Sequence, residues 1–540
     1  MRFRALARWF RTARHLRWEQ VVWRLWYRFY RATPDTRPAP AVRLRQGNWE
    51  MPVAREATML GPGMFRFLNQ AGTVTDPVDW NDPNQAKLWL YNLHYFDDLN
   101  SRDAGDREHW HRALLEQWVR ENPPGTGNGW EPYPCSLRIV NWVKWALGGA
   151  QLEAAWRQSL AVQARWLERH LEYHLLGNHL FANAKALVFA GLFFEGDEPE
   201  RWLHLGRRIL DREVTEQILP DGGHFERSPM YHVIIFEDLL DLLNVHYAYG
   251  VEPPPAWREV AGRMLGALSG MQHPDGEIAF FNDAAVGIAP TPGAVRDYAV
   301  RLGLYGDEMK GLVVSLPDTG YFRLASGPAV CIADVAPIGP DYLPGHAHAD
   351  TLSFELSLDG QRVFVNSGTS EYGTSAERLR QRGTAAHNTV VVNGLDSSEV
   401  WSGFRVARRA RPLDVEYGVN GEEVWLAGSH DGYRRLSRAL LHRRAWQLNG
   451  SGLSVQDELT GAFDVACARF HLHPTTTLIA TGERKARFCT SAGREVVLAV
   501  DGGTLRVEPA TYHPEFGAAT PTQCLVVEFH GPHCESHLYW

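Results

Sequence analysis

With 540 residues the chain exceeds what one ordinary hydrophobic core supports, so two or three domains are expected, each large enough to hold itself together. Its 55 Lys plus Arg against 63 Asp plus Glu leave a net charge of −8, which excludes the global positive field that nucleic-acid binding needs. No apolar run reaches the length that spans a bilayer, and the six scattered cysteines lack the CxxC pairs of a zinc knuckle or redox dithiol.

In chain order, residues 1–40 open with a helix-compatible string, Met1-Arg2-Phe3-Arg4 through Trp26-Tyr27-Arg28, and end in the Pro-rich connector 33–40. Arginines interleaved with aromatics are compatible with peripheral contact with an anionic membrane, or with a helix packed on the body of the protein with its arginines solvated. The packed helix is the preferred reading. The string never offers the uninterrupted apolar core of an export signal, so a cytoplasmic location is expected.

Residues 41–315 carry helical periodicity: Leu160, Ala164, Leu167 and Leu171 share one face, as do Ile235, Leu239 and Leu242. Gly177-Asn178-His179 and Ser228-Pro229-Met230-Tyr231 interrupt it, where glycine or proline stops one helix before the next. Over residues 316–540 the pattern changes to short alternating runs. Leu352, Phe354, Leu356 and Leu358 are expected to face a core and Thr351, Ser353, Glu355 and Ser357 to face outward, with Asp359-Gly360 turning a hairpin. Further runs at 389–392, 423–426, 495–500 and 524–529 complete an antiparallel β domain, so the fold class is α+β multidomain with helices first and a β-sandwich second.

Three strings in the β half, Gly345-His346-Ala347-His348-Ala349-Asp350, Val365-Asn366-Ser367-Gly368-Thr369 and Ala386-His387-Asn388-Thr389-Val390, follow in order after Gly177-Asn178-His179 and Asp221 through Tyr231. Their ordered combination resembles the heparinase II/III family of polysaccharide lyases, over most of the chain. The resemblance implies an incomplete (α/α) toroid, an antiparallel β-sandwich, and β-elimination on an anionic polysaccharide containing uronic acid; characterised relatives tend to be periplasmic. It places Asn178 at the substrate carboxylate, where an uncharged amide can hydrogen-bond charge as it builds. Tyr231 takes the acid, and sometimes the base, position. His346 is the base or the partner that holds a phenolate, with His179 beside Asn178.

Trp130, Tyr133, Arg138 and Asn141 are expected to grip the sugar, with His224 and Glu226 behind the reacting groups and Arg405 adding charge from the β domain. The resemblance also implies a structural zinc held by His348, Asn366 and His387. Asn366 stands where the family has aspartate, and its neutral amide is a poorer ligand. No organic cofactor is implied.

Each residue taken singly has a plainer reading: Asn178-His179 as a helix cap, Tyr231 as a half-buried core residue, and His348, Asn366 and His387 as a hydrogen-bonded cluster without an ion. His346 and His348, two positions apart, are expected to point to opposite faces. Two other functions stay open. A glycoside hydrolase would use Glu226 and Asp283 as its carboxylate pair, leaving Asn178, Tyr231 and His346 without work. A non-catalytic polysaccharide-binding or assembly protein would keep the fold without turnover.

Overall fold

The computed structural model describes residues 2–306 and 309–540. Its first segment holds two helices rather than one, α1 (Arg2–Ala13) and α2 (Trp18–Phe29), followed by extended chain through the prolines. Helices this short are marginal alone, and both are held by tertiary contacts. In α1, Trp9 packs edge-on against Trp401 with ring centroids 5.1 Å apart, and Thr12 Oγ1 accepts a hydrogen bond from Trp401 Nε1 at 3.1 Å. In α2, Trp23 stacks on Tyr173 at 4.9 Å and the Tyr27 hydroxyl donates to the Leu171 carbonyl at 2.6 Å. A small antiparallel sheet, β1 (Met59–Gly61), β2 (Met64–Phe67) and β3 (Gln70–Thr73), then precedes the toroid.

The toroid comprises α3 (Lys87–Tyr95), α4 (Glu108–Glu121), α5 (Pro132–Leu147), α6 (Ala154–Glu168), α7 (Gly177–Phe193), α8 (Asp197–Gln217), α9 (Pro229–Ala248), α10 (Pro255–Ala267) and α11 (Pro292–Arg301). Helices α7 and α9 are buried on nearly every side, and the charges they carry inside are paired, Lys185 Nζ of α7 donating to Asp238 Oδ1 and Asp241 Oδ2 of α9 at 2.5 and 2.6 Å. No helix among the described residues is long and apolar enough to cross a membrane.

The second half begins with a five-stranded antiparallel sheet, β4 (Val313–Leu316), β5 (Tyr321–Ser326), β6 (Ala329–Asp334), β7 (Ser353–Leu358) and β8 (Gln361–Phe364), and continues into an eight-stranded and a four-stranded sheet. The hairpin between β7 and β8 turns at Asp359 (φ 48°) and Gly360 (φ 80°), the left-handed pair that a tight two-residue turn requires. One expectation fails here: Thr351, Ser353, Glu355 and Ser357 do not face solvent, for Thr351 and every residue of β7 are buried. Their face packs against the toroid, where Glu355 Oε2 accepts from His273 Nε2 at 2.9 Å and Ser357 Oγ bonds His273 Nδ1 at 2.8 Å. Alternation marks two faces, and a second domain can cover the polar one when partners satisfy it.

Deep in the sandwich, Arg444 and Asp457 sit opposite each other on neighbouring strands and form a bidentate pair at 2.8 and 2.9 Å. Arg444 also donates to the carbonyls of Leu352 (3.0 Å) and Asn388 (2.6 Å). It therefore ties the eight-stranded sheet to the two segments that carry His348 and His387.

Candidate active site

The toroid supplies two helix N-termini. Before α7 the backbone turns through Leu176 (φ 67°) and Gly177 (φ 57°), and a Cβ on Gly177 would lie 2.2 Å from Leu343 Cδ2 of the β domain. The left-handed conformation at this position favours glycine. Asn178 follows in the first turn, buried, and no described residue hydrogen-bonds its side-chain amide. His179 Nδ1 donates to Glu172 Oε1 at 3.1 Å, and its ring lies 4.5 Å from that of Tyr133. Burial opposes a charge on His179, but the Glu172 carboxylate outweighs it and holds the pKa above the ordinary imidazole value.

At the second N-terminus, Ser228 Oγ caps α9 by accepting from the Tyr231 N–H at 3.1 Å, and Pro229 occupies the first helical position. Tyr231 is thereby fixed in the first turn. Its hydroxyl meets that of Tyr372, from the β domain, at 3.1 Å, and its ring lies 4.0 Å from the imidazole of His346. Burial, with Tyr372 and Tyr133 nearby, pushes the Tyr231 phenol well above its ordinary value, so the side chain is a neutral donor.

His346 arrives on the loop between β6 and β7. Rather than diverging, His346 and His348 converge on the two oxygens of one carboxylate: His346 Nδ1 on Asp283 Oδ2 at 2.9 Å and His348 Nε2 on Asp283 Oδ1 at 2.8 Å. The segment is loop, not strand, so the alternation of a strand does not apply to it. The Asp283 N–H also donates to the His346 carbonyl at 2.9 Å, and Arg378 binds both carboxylate oxygens from the far side. Burial disfavours the charge on Asp283, yet Arg378 and the two histidines hold its carboxyl well below the usual range. A carboxylate that only accepts makes His346 donate from Nδ1, which leaves the Nε2 lone pair available. Glu226 Oε2 lies 3.6 Å from that Nε2, and burial raises the Glu226 carboxyl.

Several expected sugar contacts lie elsewhere. Arg138 is fully buried, donating to Gln163 Oε1, the His94 carbonyl and the Gly129 carbonyl at 3.0, 3.2 and 2.7 Å, with its guanidinium stacked 3.9 Å from the Trp118 ring. Trp130 is core, its indole N–H on the Asn122 carbonyl at 3.2 Å. Asn141 holds the Tyr95 carbonyl and Asp97 Oδ1 at 2.9 and 2.7 Å. These side chains brace the wall of the toroid because its backbone turns there need buried partners. Of the four, only Tyr133 reaches the junction. His224 is fully buried against Gln217, and Arg405 stacks over Trp9 at 4.1 Å, beneath α1. Asp283, Arg378, Tyr372 and Glu172 complete the site. Of these, Asp283 carries a signal in the sequence, as a polar residue after Phe280-Phe281, where by itself it reads as a hydrolase acid.

The expected metal ligands also change. Both ends of the Asn366 amide are taken by backbone, its Nδ2 donating to the Phe280 carbonyl at 2.9 Å and its Oδ1 accepting from the Asn388 N–H at 3.0 Å. The carboxylate beside the histidines is Asp350: among the described residues, donor atoms of His348, Asp350 and His387 lie within 4.8 Å of one another. His348 Nδ1 and His387 Nε2 are 3.3 Å apart, about the separation that two nitrogens take on a tetrahedral zinc with bonds near 2.0–2.1 Å. Burial raises the Asp350 carboxyl, a cost that a cation would relieve. The set fits zinc, with Asp283 behind His348 as the acceptor that orients a metal-bound imidazole.

The comparisons with known proteins agree with this architecture. The Heparinase II/III N-terminus family model matches residues 73–297 and the Heparinase II/III-like, C-terminal model matches residues 308–540. The chain is 28% identical over 439 residues to FtsZ-localized protein C of Caulobacter vibrioides, covering 75% of this chain and 72% of that protein. It is also 28% identical over 495 residues to the heparin-sulfate lyase of Bacteroides stercoris, covering 80% and 72%. A crystal structure of heparinase III superposes with a TM-score of 0.70 at 20% identity, covering 87% of this chain and 79% of that one, which shows the shared fold. On the strength of both matched halves, the chain belongs to the heparinase II/III family of polysaccharide lyases.

Proposed function

We propose that this protein cleaves a uronate-containing polysaccharide by β-elimination, with Asn178 and His179 from the start of α7 and Tyr231 and His346 from the domain junction as the groups that act on the sugar. The observation that carries the reading is the meeting of Tyr231 and His346, rings 4.0 Å apart, with Asp283 bonded to the far nitrogen of the imidazole. Asn178 donates its uncommitted amide to the substrate carboxylate as charge builds there, and His179, held by Glu172, follows it in the same helical turn. The lowered barrier to ionisation at C5 then lets His346 Nε2 take the proton, while the Tyr231 phenol protonates the departing O4. Asp283 holds the imidazole in the tautomer that accepts and stabilises the imidazolium that forms. Names among the relatives include heparin-sulfate lyases, which puts sulfated uronate glycans first among substrates to try.

Incubation with a panel of uronate polymers is expected to generate the ultraviolet absorbance of an unsaturated uronate. A saturated new reducing end would instead identify a hydrolase, and intact polymer a binding protein. The hydrolase reading has little support: Asp283 is locked by Arg378 and two histidines, and it shares the imidazole of His346 with Glu226 rather than facing it across a bond to be cut. Asn178→Ala is expected to lower turnover by about 10²-fold, the loss typical of one donor to a developing oxyanion. Turnover within twofold of wild type, in a variant that melts normally, would remove Asn178 from the role.

His348, His387 and Asp350 hold one structural zinc in this proposal, which fastens the loop carrying His346 to the segment carrying His387. Metal analysis of the purified protein is expected to give about one zinc per chain, falling well below that in His387→Ala. A chelator is expected to lower the melting temperature of wild type but not of the variant. Metal-free wild type with full stability would leave the three residues as a hydrogen-bonded cluster.

A further inference from the structure

The helices α1 and α2 leave their apolar faces in water. Along α2, Trp18, Val22, Leu25 and Phe29 recur at i, i+4, i+7 and i+11, one stripe of the helix. They are 78%, 48%, 57% and 79% exposed. The opposite face, Gln20, Trp23 and Tyr27, is the one that grips the body. In α1, Leu6 and Phe10 are 66% and 71% exposed. Single exposed hydrophobics are ordinary, but a continuous aromatic and aliphatic stripe marks a docking surface. As expected of a helix packed on the body, its arginines are solvated: Arg24 and Arg28 are exposed and flank the stripe.

The charge around these faces selects the partner. Residues 2–31 contain nine arginines and a single acid, Glu19, in a chain of net charge −8. Beneath α1 lies a cavity of about 610 Å³ where Arg8, Arg11, Arg408 and Arg435 outnumber Asp396 and Glu399. From this stripe and its arginine flank we infer that α1 and α2 dock the protein on an anionic phospholipid bilayer, lying in the plane of the interface. Tryptophan and phenylalanine seat in the headgroup boundary while arginine pairs with lipid phosphate. A 12-residue helix is about 18 Å long, too short to cross a hydrocarbon core of about 30 Å, so the mode is peripheral.

The surface adjoins the site. Gln20 Nε2 donates to the carbonyls of Leu175, in the loop leading to Asn178, and Tyr342, in the loop leading to His346, at 3.4 and 3.3 Å. Docking would hold the loops that lead to Asn178 and His346 near the bilayer. The inference stands on the helices and does not depend on the proposed reaction.

Co-sedimentation of the full chain with vesicles tests it. Binding is expected to vesicles of phosphatidylcholine with about 30% phosphatidylglycerol, to be at least tenfold weaker to phosphatidylcholine alone, and to fall as salt rises from about 0.1 to 0.5 M. The double variant Leu25→Ser, Phe29→Ser is expected to lower vesicle affinity at least tenfold with an unchanged melting temperature. Arg24→Gln with Arg28→Gln is expected to reduce the preference for anionic lipid while keeping the fold. No vesicle binding at low salt, equal binding to both lipids, or wild-type binding by the serine variant would overturn the inference. So would a dimer in solution that the serine variant dissociates, since the stripe would then be covered by a second copy.

Discussion

Tyr231→Phe is expected to lower turnover of a uronate polymer by about 10³-fold, within the range for a lost general acid. The substitution removes one oxygen and keeps the ring that packs 4.0 Å from His346, so the site retains its shape. Ser228 continues to cap the helix through the backbone N–H of residue 231, which the change leaves intact. The Tyr372 hydroxyl loses its partner at 3.1 Å but sits at a partly exposed position where water can replace it. Melting temperature and KM are therefore expected to stay close to wild type while kcat collapses. Because burial holds the Tyr231 phenol well above its ordinary value, wild-type kcat should show no alkaline rise from a phenolate base. Undiminished kcat in the phenylalanine variant would reject Tyr231 as the acid, and would direct attention to Tyr372.

Asp457→Asn is the substitution expected to cost most in stability. It breaks a fully buried pair and leaves the Arg444 guanidinium without its counter-charge, a loss of about 3–5 kcal/mol near neutral pH. Burial by itself would raise the Asp457 carboxyl, but Arg444 and His442 hold it down at about 2. A carboxylate depressed in the folded state stabilises above its unfolded value of about 3.9, and the contribution disappears as pH falls through the folded value. For this shift the contribution is on the order of 2–3 kcal/mol, lost between roughly pH 4 and pH 2. Thermal unfolding as a function of pH is expected to show the variant melting about 10 °C lower near neutrality, with the gap narrowing in acid. An equal gap at pH 3 and pH 7 would show that lost packing, not the charge pair, carries the effect. Because Arg444 also holds the Leu352 and Asn388 carbonyls, the variant is expected to loosen the loops of His348 and His387 first.

Much of this protein is decided by local rules. Helical periodicity, the Ser-Pro start of α9, the Asp-Gly hairpin and the alternation of β7 are consequences of three or four consecutive side chains, and the helix-then-sheet division follows from them. The candidate site was legible where its residues sit in short strings with their own caps and turns: Asn178 and His179, Tyr231, His346. What the chain could not disclose locally is which polar groups meet across the junction. Asp283 comes from the toroid and Arg378 and Tyr372 from the β domain, about 90 positions away in sequence, and only packing of the domains joins them. For the same reason Arg138 and Trp130 read as sugar contacts yet are wall braces, since a buried arginine with three carbonyl or amide partners has the same local signature as an exposed one. Side-chain chemistry and period determined the elements and the set of candidate groups; burial, which depends on what covers each face, decided which of those groups face the junction and which hold it together.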